Sequence, residues 1–79
     1  MIKRYDLESQ VEYLALGRDG KIKKDLKTGK GIIEETIHAY TNLEANSKQE
    51  AITKYEAMVS KNYGSRLVGI KTKVTAVRD

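Results

Sequence analysis

The amino-acid sequence predicts a small α+β domain in the order β-β-α-β, one helix packed on one face of a three-stranded sheet. Two kinds of pattern carry that expectation. Three segments alternate apolar and polar residues with period two, and one segment, 46–64, repeats apolar residues at three- and four-residue spacing behind a capping signal.

The first strand is expected within Ile2 to Leu16, where Tyr5 and Leu7, then Val11, Tyr13 and Ala15 alternate, with a break near Glu8-Ser9-Gln10. Leu7, Val11 and Leu14 also fit a short helix. Strand is preferred because Val and Tyr favour it and Arg18-Asp19-Gly20-Lys21 supplies an Asp-Gly turn. From Ile32 to Leu43 a second β-branched run alternates around Ile33, Ile37 and Ala39. The helix is expected within Asn46 to Gly64. Ser47 and Glu50 have capping-box spacing, Ala51, Ile52, Tyr55, Met58 and Val59 give an apolar stripe, and Gly64 ends it. Leu67 to Val77 forms the last strand, with Val68, Ile70, Thr72, Val74 and Ala76 set against Lys71, Lys73 and Thr75.

A helix between the second and third strands makes those two parallel, which lets the first lie antiparallel between them. The expected sheet order is 2-1-3, in one domain spanning 1–79. Nothing in the chain covers the opposite sheet face, where Leu16, Ile32, Leu67 and Val77 are expected, a placement favouring a homodimer or a protein partner.

Composition narrows function. At 79 residues and 8.9 kDa, a compact chain should expose about 4,800 Å². Its core is therefore thin, and a deep substrate cavity would consume it. No cysteine is present, so disulfides, thiolate metal sites and thiol nucleophiles are excluded, and a single histidine makes no metal site. Glu34 and Glu35 adjoin, yet strand alternation sends them to opposite faces, where they cannot act as an acid and base pair. The expectation is no enzymatic activity, no cofactor, no metal and no small-molecule substrate. The basic amino terminus lacks a following apolar stretch and no segment is long and apolar enough to span a bilayer, which points to a cytoplasmic protein without membrane contact.

Fifteen Lys and Arg against eleven Asp and Glu leave +4. Residues 17–31 hold Arg18, Lys21, Lys23, Lys24, Lys27 and Lys30 in a glycine-rich, flexible loop that could wrap a phosphate backbone or stay solvated. Thr28-Gly29-Lys30-Gly31 is no nucleotide-binding loop, because Lys24 occupies the position of its first glycine and a strand follows instead of a helix. Tyr13 and Tyr40, with Lys71 and Lys73, form a candidate base-stacking surface on the sheet if they share an exposed face; otherwise the tyrosines fill a core that lacks Phe.

Tyr63-Gly64-Ser65-Arg66, leading from the helix into an alternating basic strand, is similar to a passage of the archaeal large-subunit ribosomal protein LX family, which also has small β-α-β modules. The similarity covers a short part of the chain. Leu67, Val68 and Gly69 stand where that family has further basic and histidine residues. The small, cysteine-free, single-domain build leads to the expectation of a non-enzymatic adaptor or inhibitor, of a kind that suits a phage or bacterial accessory protein. It engages a protein partner, or a second copy, through its sheet face and edge. The alternative is a nucleic-acid- or ribosome-binding module using loop 17–31 and strand 67–77.

Overall fold

The structure, a computed structural model, describes residues 1–79. Strands β1 (Lys3–Leu14) and β2 (Ile33–Ala45) precede helix α1 (Lys48–Tyr63); a 3-10 turn (Gly64–Arg66) leads into β3 (Leu67–Arg78). The sheet order is β2-β1-β3, antiparallel throughout, as the connection rules require. Ser47 caps α1, its hydroxyl accepting the Glu50 amide at 3.1 Å, and Gly64 at φ 57° ends it, its amide donating to Ser60 O. No helix is long and apolar enough to cross a membrane.

Strands of 12 and 13 residues are about 40 Å long, whereas a 16-residue helix spans about 24 Å, so α1 covers only part of a narrow ribbon. The molecule is accordingly drawn out to 52 × 18 × 17 Å, and its 5765 Å² of surface exceeds what a compact chain would expose. Tyr5, Leu7, Val11, Ala45, Ala51, Tyr55 and Val59 form the core.

Alternation is interrupted, but not at Glu8-Ser9-Gln10. The extra residues sit in the outer strands. In β2, Tyr40 opposes Leu7 and Leu43 opposes Tyr5, leaving Thr41 and Asn42 against Asp6 alone. In β3, Val68 and Thr75 are the unpaired residues. Each bulge shifts which face the following residues occupy. In β2 the odd positions Ile33, Ile37 and Ala39 therefore point away from the helix, while the odd positions Leu43 and Ala45 point toward it.

This phase change corrects the expected outer face. Leu67 and Val77 oppose Tyr13 and Tyr5 on the helix side, while Leu16 and Ile32 lie beyond the sheet. The outer face carries Glu8, Gln10 and Glu12 from β1, Ile33, Glu35, Ile37 and Ala39 from β2, and Lys71 and Lys73 from β3. It is a mixed-charge surface, with its apolar groups gathered along β2 and at Leu14 beside Ile33.

Two of the three bulges converge on Asp6. Its Oδ1 accepts the Asn42 amide at 3.0 Å and an ion pair from Arg78, while Thr75 Oγ1 donates to the Asp6 carbonyl at 3.3 Å. Asn42 has φ 59°, a left-handed conformation that asparagine tolerates better than branched residues. Asp6 thus ties together irregularities in both flanking strands, through its carboxylate on the β2 side and its backbone carbonyl on the β3 side.

Candidate nucleic-acid interface

The basic loop is not a flexible wrap. Residues 15–32 form an ordered arm beyond the sheet, and its neck is a closed ring of three backbone hydrogen bonds. Ala15 N donates to Ile32 O, Ile32 N to Lys23 O, and Lys23 N to Ala15 O, each at 2.9 Å. Two tight turns hang from that neck. In the first, Gly17 N donates to Lys21 O at 2.7 Å, with Gly20 at φ 79°. In the second, Asp25 N donates to Lys30 O at 2.8 Å, with Gly29 at φ 71°. Bridges Leu16–Ile22 and Lys24–Gly31 align the limbs. A Cβ on Gly31 would stand 2.7 Å from the Leu14 Cδ2, so glycine permits that close approach.

Both acidic residues of the arm are engaged in shaping its turns. Asp19 Oδ1 accepts the Lys21 amide at 3.0 Å; Asp25 Oδ1 accepts the amides of Lys27 at 2.7 Å and Thr28 at 3.2 Å. Neither forms a salt bridge. Arg18, Lys21, Lys23, Lys24, Lys27 and Lys30 are all exposed, and none is in an ion pair. Six of the chain's fifteen cations and two of its eleven anions lie in 17–31, which is net +4. The remaining nine and nine cancel, so the arm carries the whole net charge.

Arg66 extends this basic surface from the other side. Fixed by a 3.0 Å bond from Nη1 to Leu14 O, it lines an open recess with Lys21, Lys24, Ile22 and Asp19. Its guanidinium also sits 5.6 Å from the centre of the Tyr63 ring, which stacks 4.8 Å from Tyr13. His38 Nε2 and Tyr63 Oη are 2.6 Å apart. Burial, then the neighbouring Tyr13, pushes the Tyr63 phenol above its ordinary pKa, and Arg66 partly offsets this. Arg66 and Tyr63 were not among the residues expected at a binding surface. The sequence marked them only through the glycine that turns the chain between them and the short similarity carried by Tyr63-Gly64-Ser65-Arg66.

The four expected sheet residues do not come together. Tyr13 and Tyr40 oppose Glu34 and Leu7 on the helix side, Tyr13 being stacked on Tyr63 and Tyr40 bordering a small cleft with His38, Met58 and Val59. Lys71 and Lys73 occupy the other face, opposite Gln10 and Glu8. No protein-family model matches the chain, and no curated protein or solved structure is significantly similar to it.

Proposed function

We propose that this chain is a non-enzymatic binding protein whose cationic arm engages the phosphate backbone of a nucleic acid. The observation that supports the reading is the concentration of the entire net charge on one projecting, internally bonded arm. Lysines held on a folded scaffold lose less conformational freedom on binding than the same residues in a flexible loop. Arg66, at the foot of the arm, adds a planar donor suited to phosphate oxygens. The backbone amides of the arm are largely engaged internally, so side-chain charge supplies the attraction, and the affinity is expected to be insensitive to sequence.

Salt titration of duplex DNA and single-stranded RNA binding, read by fluorescence anisotropy, tests this. Each phosphate neutralised contributes about 0.7–0.9 to the slope of log affinity on log salt, so changing Lys23 and Lys24 to Ala should lower the slope by up to roughly 2. The loss should be similar for unrelated sequences. No binding at low salt, or equal slopes for the two proteins, would overturn the reading in favour of a protein-binding adaptor.

A further inference from the structure

Single strands and duplexes are held by different chemistry. Proteins that grip a single strand combine a cationic groove with aromatic side chains on which successive bases stack. A duplex keeps its bases stacked on one another and presents phosphates, one charge per about 1.7 Å of axis against about 3.4 Å along one strand. The position of the aromatic groups relative to the arm therefore bears on which form it takes.

The chain has five tyrosines and neither Phe nor Trp, and no tyrosine lies in the arm. Tyr5 and Tyr55 are buried in the core. Tyr13 and Tyr63, at the foot of the arm, are stacked on each other, and Tyr63 is flanked further by the Arg66 guanidinium and the His38 ring. Tyr40 is the one exposed tyrosine, and it pairs with Leu7, well inside the sheet. The cations of the arm thus stand apart from any free aromatic face.

From this distribution we propose that the ligand of the arm is a double-stranded nucleic acid, held through its phosphates with no base stacked on the protein. The inference rests on the nucleic-acid reading above. Arg18 and Lys21 belong to the first turn, Lys27 and Lys30 to the second, and the bonded neck holds both turns in place. A duplex offers such a scaffold phosphate rows that are already fixed. A single strand would have to be ordered along the same charges, at an entropic cost that no stacking offsets.

The test uses one oligonucleotide without self-complementarity, alone and annealed to its complement, as DNA and as RNA, titrated by fluorescence anisotropy over a range of salt. If all six arm cations meet phosphates, contributions of about 0.9 per contact for duplex and 0.7 for single strand make the slopes of log affinity on log salt differ by about 1. The duplex should then gain roughly tenfold over the single strand for each tenfold fall in salt. Preference for duplex as DNA, as RNA or as both supports the proposal and identifies the duplex form. Tyr40→Ala should leave the affinity for every form unchanged. Single strands bound as tightly as duplexes, or lost affinity in a Tyr40→Ala protein with a native circular dichroism spectrum, would overturn the proposal and leave the nucleic-acid reading standing. Failure to bind any of the four forms at low salt would overturn both.

Discussion

Ser9 Oγ and Tyr55 Oη lie 2.8 Å apart in the middle of the core, each residue 1% exposed, and they form the buried side-chain hydrogen bond between sheet and helix. A chain without Phe uses tyrosine for bulk, and the phenol then requires a partner where water is excluded.

Removing one side of that pair should cost more than removing both. Ser9→Ala leaves the Tyr55 hydroxyl unpaired, and the expected loss is about 1–3 kcal/mol by denaturant titration. Tyr55→Phe added to it should recover much of the loss. Additive effects of the two changes would mean that the hydroxyls are not coupled.

Acid should weaken the bulge. The Arg78 guanidinium, then the Asn42 amide, hold the Asp6 carboxyl below its ordinary pKa of 3.8; Lys54 similarly lowers Glu50 from 4.5. A carboxyl lowered by folding contributes stability that is complete above its unfolded pKa and is lost as pH falls through the folded value. Unfolding midpoints should therefore be steady near neutrality and decline below about pH 5. Asp6→Asn should lower stability at neutral pH and make the acid decline shallower; an unchanged acid profile would count against this role.

Backbone conformation at the bulge gives a separate test. With φ at 59°, Asn42→Gly should be tolerated, whereas Asn42→Val should cost on the order of 1–2 kcal/mol. Equal stabilities for the Gly and Val variants would show that the left-handed conformation is not required.

Helix initiation rests on one hydroxyl. Ser47→Ala removes the acceptor of the Glu50 amide and should cost about 1 kcal/mol, while Ser47→Asp should retain most of the stability.

The order of the arm can be separated from its charge. Asp25→Ala raises the net positive charge but removes the acceptor of the Lys27 and Thr28 amides. Weaker nucleic-acid binding, with faster amide hydrogen exchange at residues 27–29, is expected because the lysines lose their fixed placement. Tighter binding would show that charge alone matters.

What the sequence determined by itself is local. Alternation placed three strands, Ser47 and Gly64 bounded the helix to within a residue or two, and the connection rules gave the order β2-β1-β3. The six arm cations were equally legible, because charge is countable and glycines mark turns. Tertiary structure decided everything that depends on pairing partners far apart in the chain. A period of two says that neighbours alternate but not which set meets the helix, and bulges at Asn42, Val68 and Thr75 reverse that choice within a strand. For that reason Ile33 and Ile37 are exposed, Tyr13 and Tyr40 lie on the face opposite Lys71 and Lys73, and Asp6 meets Arg78 across 72 positions. The arm is ordered for the same reason: its neck joins Ala15, Lys23 and Ile32, hydrogen bonds that no local propensity specifies.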